Sequence, residues 1–314
     1  MSTCCFNNKT SPKFRNMNRF ILLLLCLSIN QLFAQMINNE LGQIFTETPF
    51  FNEKYIRSVK LKSITGTISS KKELGSIKRS GKKEAYIFNE KGNLTIHYLS
   101  SQTKSKPDTT FTFYEYNLKN ENTIFRVSDS YGFYSYSKKY NDLGKLINKT
   151  YSREKNASKS KMNFKLEEKY VIFEESYLYE YKDSAIEVTT LNSNGRPYQR
   201  QIYHYNSFNY LSKIHTRLLI SNTTKHEKYH YNDRGFLKSI QYFTSENITP
   251  IKELRFDYDE WGNVTFMDEY KDNVRVIHKE LLYDPSTLIL KTILSQDLVS
   301  NLITIIKYKP EFYN

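Results

Sequence analysis

Cysteine is nearly absent from this sequence, and its three copies, Cys4, Cys5 and Cys26, all lie near the start. The chain from Gln35 onward therefore has neither a disulfide framework nor a zinc site made of thiolates. Long apolar runs are also missing, because the run Phe20–Ile29 is about half of the roughly 20 residues that a transmembrane helix needs. No stretch keeps a 3.6-residue apolar period, so we expect few helices. Stability has to come from a packed core.

The short apolar run is instead typical of a secretory signal peptide. Four basic residues precede it: Lys9, Lys13, Arg15 and Arg19. Ala34 is the small residue expected before a cleavage site. We predict a signal peptide over residues 1–34, export to the periplasm, cell surface or exterior, and one β domain over residues 35–314. In that domain, residues 35–60 are an N-terminal segment and residues 302–308 a closing strand.

The chain has a basic excess that is spread along its length. The whole sequence holds 46 Lys and Arg against 33 Asp and Glu, and four of the basic residues lie in the predicted signal peptide. Spread charge is typical of a solvated surface, and no nucleic-acid-binding motif is present, so we expect no nucleic-acid partner. Basic residues cluster locally in 70–83 and 153–169, where Ser, Gly and Asn indicate exposed loops.

Internal repetition is the main signal. Short segments share the frame aromatic, Asn or Asp, two variable residues, Gly, one variable residue, then Leu or Val. The copies begin at Phe88, Tyr140, Tyr231 and Tyr258, with Asn replacing Gly in those at Tyr116 and Tyr205, no aromatic in the copy at Leu191, and degenerate copies at Tyr181 and Tyr283. Asn or Asp opens a type I turn, and a following residue with positive φ closes a short hairpin with a bulge. Gly adopts positive φ without strain, and Asn is the next best choice.

The residues around these turns alternate between apolar and polar, as in antiparallel strands with one buried face. The repeats recur about every 25 residues, which fits two strands and their turns. We therefore predict an all-β fold, an antiparallel meander of hairpins. Roughly 16 strands are too many to stay flat, so the sheet should curl, spiral or close on itself, and we expect a curled or spiral sheet.

The frame resembles that of YD-repeat proteins, also called RHS-like repeats. The most similar copy is Phe256-Asp-Tyr258-Asp-Glu-Trp-Gly262-Asn-Val264, and Tyr229-His-Tyr231-Asn-Asp-Arg-Gly235-Phe-Leu237 is nearly as similar. The resemblance covers roughly residues 88–284. It implies repeated β-hairpins and a small, exported member of the family. Large members look like hollow β-spiral shells around a toxin domain, whereas this chain is far shorter and has no such segment.

Motifs that carry chemistry are missing. The sequence has no nucleophile elbow, no phosphate-binding loop and no metalloprotease helix, so we expect no catalytic residues, metal or cofactor. We call the aromatic that opens each copy of the frame the anchor aromatic. The residues that precede the anchor aromatics should form a polar row on the face opposite the aromatics. His204, His230 and Asp257 at its centre are candidate binding residues. Trp261 is a further candidate, because an exposed Trp inside a turn is uncommon.

Two functions from different classes stay open. The first is a non-enzymatic exported binding or surface protein, with a glycan or another envelope protein as partner. The second is a hydrolase of an envelope polysaccharide, since two carboxylates placed by the fold suffice for one. An outer-membrane barrel is a third hypothesis. Charges such as Lys138, Lys238 and Arg255 argue against it, because they interrupt the candidate lipid-facing surfaces.

Overall fold

The computed structural model describes residues 35–72, 74–102, 107–245 and 247–314. These residues form eighteen strands and one short helix, α1 (Glu53–Ser58). The strands are β1 (Leu61–Lys72), β2 (Lys78–Phe88), β3 (Leu94–Gln102), β4 (Pro107–Tyr116), β5 (Asn122–Ser128), β6 (Gly132–Tyr140), β7 (Leu146–Asn156), β8 (Leu166–Lys182), β9 (Ala185–Leu191), β10 (Pro197–Tyr205), β11 (Leu211–Leu218), β12 (Thr224–Tyr231), β13 (Leu237–Thr244), β14 (Lys252–Tyr258), β15 (Val264–Lys271), β16 (Val274–Tyr283), β17 (Leu290–Asp297) and β18 (Leu302–Phe312). In this described part, no helix has the length and apolar character to cross a membrane.

The strands form a closed barrel. Each strand pairs antiparallel with the next along the chain, and β18 pairs antiparallel with β1, from Leu61 opposite Phe312 to Lys72 opposite Leu302. The prediction of an all-β meander is correct, but the predicted curled or spiral sheet is wrong. With an even number of strands, the first and last run antiparallel and can pair. Closure then removes both unpaired edges, which an open sheet would leave exposed.

The seven predicted turn residues have positive φ, as expected. The values run from 63° at Asn209 to 88° at Gly92, and each turn has the register shift of a bulge where it meets a strand. The side chain of the turn Asn closes the loop from inside. In the 231–237 turn, for example, Asn232 Oδ1 accepts hydrogen bonds from the backbone N–H of Arg234 and of Phe236, both at 3.0 Å. The turn Asn therefore both opens the type I turn and bonds across it, which explains why Asn predominates at that position.

The anchor tyrosines also link successive hairpins. The hydroxyl of Tyr258 donates to the carbonyl of Leu237, where the preceding hairpin begins its second strand, at 2.7 Å. The same bond recurs from Tyr116 to Leu94, Tyr140 to Asn122, Tyr231 to Leu211 and Tyr283 to Val264. A half-buried ring with a bonded hydroxyl satisfies both halves of the tyrosine. The repeated aromatic therefore serves the core and fixes neighbouring hairpins to one another.

The N-terminal segment closes one end of the barrel from inside. Residues 36–58, here called the plug, bury Met36, Ile37, Phe51 and Ile56 against the inner faces of many strands. The plug bonds to the turn end of the barrel, since Met36 N–H donates to Asn263 Oδ1 at 2.9 Å. Within the plug, Asn52 caps α1. Because the cluster draws on the inner faces of β1 to β5 and β11 to β18, it lies in the barrel interior.

The two basic clusters are largely exposed, as predicted, but only their middle parts are loop and their ends are strand. β1 and β2 run through most of residues 70–83, and β7 and β8 run through both ends of 153–169. The loop between β7 and β8 folds onto the outer wall. There the ring of Phe164 packs against Phe113 and Phe133, with centroids 4.9 and 4.8 Å away. Beneath it, Arg126 Nε donates to Glu154 Oε2 at 2.5 Å.

Candidate functional site: a cavity inside the barrel

A cavity of about 330 Å³ lies between the plug and the inner barrel wall. Phe45, Thr46 and Phe50 of the plug form one side. The wall contributes Glu84, Tyr86, Leu94, His97, Tyr114, Lys279, Ile293, Ser295, Thr304 and Ile306. Aromatic and aliphatic surfaces thus surround a few polar groups, which is the usual composition of a small-molecule site.

Glu84 is the only carboxylate among the residues that line this cavity. Its Oε1 accepts from the Tyr86 hydroxyl at 3.1 Å and lies 3.1 Å from His97 Nε2, and its Oε2 accepts from the Tyr308 hydroxyl at 2.5 Å. Burial raises the pKa of Glu84, but the hydrogen bonds from His97 and Tyr308 outweigh burial and hold the pKa below its usual value. The carboxylate is therefore ionised at neutral pH, and its oxygens are already occupied.

Lys279 is the contrasting group. Its ammonium lies 4.2 Å from the ring centroid of Phe45. Burial lowers the pKa of Lys279, while the charges of Glu84 and Glu269 act in the opposite direction. Within the described part of the chain, no carboxylate lies within 4.0 Å of its Nζ and no hydrogen bond meets it. An ammonium held against an aromatic ring, without an acceptor, is suited to bind an anionic group.

Two more lysines face the interior further round the barrel. Lys138 on β6 and Lys149 on β7 are directly opposite each other in the register. Burial lowers the pKa of Lys138, and the charge of Lys149 lowers it further. Lys138 Nζ donates to Asn122 Oδ1 at 3.1 Å, and Lys149 Nζ lies 4.5 Å from the ring centroid of Tyr136. The interior thus has more than one cationic position.

An aromatic row leads from the cavity along the inner wall. Tyr114 lines the cavity, and successive rings follow on neighbouring strands with centroids 5.0 to 6.1 Å apart. The row is Tyr114, Phe125, Tyr136, Tyr151 and Phe173, on β4 to β8. Its far end is partly open, because 39% of Phe173 is exposed. The row connects the cavity to the less filled side of the barrel.

The candidate residues predicted from sequence lie outside this cavity. His204, His230 and Asp257 alternate with inward-facing aromatics and so lie on the outer wall, on β10, β12 and β14. His230 Nε2 lies 3.3 Å from Gln241 Oε1. Asp257 is opposite Phe266 on β15 and belongs to a different part of the wall. Trp261 is 48% exposed in the turn between β14 and β15.

Glu84 and Lys279 are not among the candidate residues predicted from sequence, although the sequence carries a signal for both. Each lies four positions before the aromatic that ends its strand, Phe88 and Tyr283 respectively. Four positions along a strand return to the same face, so both charges lie on the aromatic, inward face. A charged residue on a predicted buried face indicates either a partner or a site. Throughout the residues that the structure describes, no cluster of three His, Asp or Glu could hold a metal ion.

Comparison with known proteins identifies no family. The sequence matches no family model and no curated protein. A porin-like protein from Bacteroides uniformis is 12% identical over 80% of this chain and 98% of that chain, with a TM-score of 0.39. A porin-like protein from Bacteroides vulgatus is 11% identical over 67% and 95%, with a TM-score of 0.30. The TcdB2-TccC3 chain is 11% identical over 70% and 15%, with a TM-score of 0.22. Similarity this weak supports no functional conclusion.

Proposed function

We propose that this protein is a non-enzymatic binding protein of the cell envelope that holds a small anionic, partly apolar ligand in the barrel cavity. The observation that carries the proposal is Lys279, an ammonium on the cavity wall without a carboxylate partner in the described part of the chain. The anionic group of the ligand contacts Lys279, and its apolar part packs on Phe45 and Phe50. The predicted signal peptide, which lies outside the described residues, supports the envelope location.

The cavity geometry supports binding rather than hydrolysis. A glycosidase needs two carboxylates, roughly 5 to 10 Å apart, with one on each side of the scissile bond. Glu84 is the one carboxylate that lines the cavity, and three donors already occupy its oxygens. A carboxylate in that state orients its neighbours and has little capacity left to act as a nucleophile or base. The hydrolase hypothesis therefore has no specific support in this cavity.

Ion pairs interrupt the outer wall of β14 to β16. A membrane barrel presents a continuous apolar band on its outside. Here Asp268 and His278 bond to each other at 2.6 Å on the outer face of neighbouring strands, and Arg255 NH2 and Glu253 Oε2 pair at 2.8 Å. These ion pairs lie within strands, where the apolar band would have to be. The proposal accordingly concerns a binding protein and not a membrane channel.

The experiment uses two fluorescent probes of similar shape, anionic 1-anilinonaphthalene-8-sulfonate and uncharged N-phenyl-1-naphthylamine. We expect the native protein to bind both. Lys279→Met should weaken binding of the anionic probe by about tenfold or more, because a charge-assisted contact contributes roughly 1.5–3 kcal/mol. Binding of the uncharged probe should change less than about twofold, since the apolar walls remain.

Lys238→Met is the matched control, because Lys238 is exposed on the outside and the same charge is lost. It should leave binding of both probes unchanged. Equal losses in the two variants, or a loss of both probes in Lys279→Met at an unchanged Tm, would contradict the proposed site. Failure of the native protein to bind either probe would contradict a ligand cavity of this kind.

A further inference from the structure

The outer faces of β10, β11 and β12 concentrate basic side chains. We call this surface the basic patch. It comprises Arg200 and His204 on β10, Lys213, His215 and Arg217 on β11, and His226, Lys228 and His230 on β12. Glu187 on β9 borders it and contacts Arg200 Nε at 2.9 Å. On the outward positions of the three strands, all of which the structure describes, no Asp or Glu occurs.

The strand register places groups of like charge directly opposite one another. Lys213 is opposite Lys228, and His215 is opposite His226. On the other side of β11, Arg200 is opposite Arg217 and His204 is opposite Lys213. Facing side chains in these positions have Cβ atoms only about 5 Å apart, and like charges there destabilise the sheet. A bound polyanion would replace that repulsion with attraction.

Hydrogen-bonding capacity at the centre of the patch is unused. Arg217 bonds to Asn222 Oδ1 at 2.7 and 3.0 Å, and His226 stacks on Phe243 with a centroid distance of 4.5 Å. Among the described residues, no hydrogen bond or carboxylate within 4.0 Å meets the side chains of Lys213 or Lys228. Lys228 is exposed, with its Nζ 4.9 Å from the ring centroid of Phe243, and Lys213 is partly exposed. The three strands of the patch span about two strand spacings, roughly 10 Å.

The surroundings of the two central histidines, His215 and His226, lower the pKa of both. Burial lowers the pKa of His215, and Lys213, His204 and Arg217 lower it further. Burial also lowers the pKa of His226, and Lys213, Lys228 and His215 add to the effect. On β13, the facing residues Phe243 and Gln241 carry no charge. A bound anion would reverse this influence, so mild acid should protonate both rings and strengthen its binding.

The shape of the surface favours a linear occupant. A convex barrel wall touches a flat bilayer only along a line, whereas an extended polymer can follow the wall. Peripheral membrane surfaces also combine basic groups with exposed apolar residues. On the outer face of β10 to β12, Ile202 is the one large apolar side chain, and it is only partly exposed. The predicted export favours a polysaccharide over a nucleic acid.

We propose that the basic patch binds an acidic polysaccharide, whose carboxylates contact Lys213, Lys228, His215 and His226. This site is separate from the barrel cavity and does not depend on the function proposed for it. It retains His204 and His230 of the predicted polar row and leaves out Asp257, which lies on β14, on the far side of β13.

The test is affinity electrophoresis of the folded protein in gels that contain polygalacturonate, with neutral dextran gels as reference. The native protein should be retarded by polygalacturonate and not by dextran. The double variant Lys213→Gln/Lys228→Gln should lose about tenfold or more in affinity, and its Tm should stay the same or rise because repulsion is removed. The matched control Lys238→Gln/Lys309→Gln removes equal charge from the outer wall and should lose less than about twofold.

A second variant tests the histidines separately. Native retardation should increase between pH 7.5 and pH 5.5, and His215→Gln/His226→Gln should remove that increase while keeping most of the affinity at pH 7.5. Three results would overturn the proposal: no retardation of the native protein, equal losses in the two lysine double variants, or no pH response. Equal, lysine-dependent binding to DNA or to anionic phospholipid vesicles would also overturn it, because the patch would then not select a polysaccharide.

Discussion

The two sides of the barrel are built differently. The plugged arc, β1 to β5 with β11 to β18, packs its inner face on the plug. The open arc, β6 to β10, buries only Phe133 and Val188 among its large apolar residues, and Phe133 lies on the outer wall under the loop between β7 and β8. Its inner face instead carries tyrosines and the Lys138 and Lys149 pair. One repeated hairpin therefore supports either a core or a lined interior space.

The difference shows what the repeat does and does not determine. The turn and the anchor tyrosine are alike in both arcs, so they determine hairpins and their neighbours. Burial depends on whether the plug reaches the inner face. Since apolar burial is the main favourable contribution to folding, we expect the plugged arc to supply most of the stability. The open arc, which need not be filled, is available for binding.

The largest expected effect is the contrast between two Phe→Ala substitutions. Phe51 in the plug is 6% exposed and packs on Phe50, Tyr86 and Phe88. Phe51→Ala should lower the free energy of unfolding by about 3–5 kcal/mol, because it leaves a cavity in a packed core. Phe173→Ala in the open arc should cost less than about 1 kcal/mol, since that ring is 39% exposed. Urea denaturation of both variants measures the difference, and similar costs would show that the open arc is equally important for stability.

A second contrast concerns two turn glycines of similar backbone geometry. Gly92 has φ +88° and Gly195 has φ +71°. A Cβ at Gly92 would lie 2.0 Å from the backbone oxygen of Glu53 in the plug, whereas a Cβ at Gly195 would meet nothing within 4 Å. Both Ala variants should lose about 1–2 kcal/mol from the positive φ. Gly92→Ala should lose a further 1–3 kcal/mol or so through overpacking against the plug.

Thermal or urea denaturation of the two glycine variants separates these contributions. Gly195→Ala reports the backbone cost alone and serves as the control for Gly92→Ala. If the two variants lose equal stability, the plug moves aside without cost and is not a fixed part of the core.

The sequence predicted local structure well because its signals are local. Each hairpin turn is encoded within seven residues, so the positive φ of Gly235 or Asn120 follows from the frame itself. Closure of the barrel is not local. It depends on pairing between β1 and β18, which lie at opposite ends of the domain, and neither strand carries the repeat frame. The repeat pattern is compatible with a spiral or a ring, so it could not decide between them.

The candidate site was less predictable for the same reason. The face of the sheet to which each side chain of a strand points could be predicted from the alternation along that strand. This placed His204 and His230 on the same wall. The cavity, however, combines Glu84 from β2 with Lys279 from β16 and with Phe45 from the plug, and only the closed ring brings these together. The basic patch likewise depends on register, because the pairing of Lys213 with Lys228 sets like charges opposite each other.

The smallest expected effect is that of Ser→Ala substitutions at buried positions, which should change the free energy of unfolding in opposite directions in the two arcs. Ser135 on β6 and Ser152 on β7 are opposite each other, and both are fully buried. Within the part of the chain that the structure describes, neither hydroxyl has a hydrogen-bond partner. Removing a buried hydroxyl that makes no bond relieves a desolvation cost. Ser135→Ala should therefore leave the free energy of unfolding unchanged or raise it by up to about 1 kcal/mol.

Ser128 on β5, in the plugged arc, provides the matched substitution. Its side chain is also buried, but its Oγ accepts a hydrogen bond from the backbone N–H of Phe111 at 2.8 Å. Ser128→Ala leaves that N–H without its acceptor and should lower the free energy of unfolding by about 1–3 kcal/mol. Urea denaturation at constant m-value measures both variants. A loss of more than about 1 kcal/mol in Ser135→Ala would mean that its hydroxyl is bonded, and that the open arc is as fully satisfied in its buried polar groups as the plugged arc.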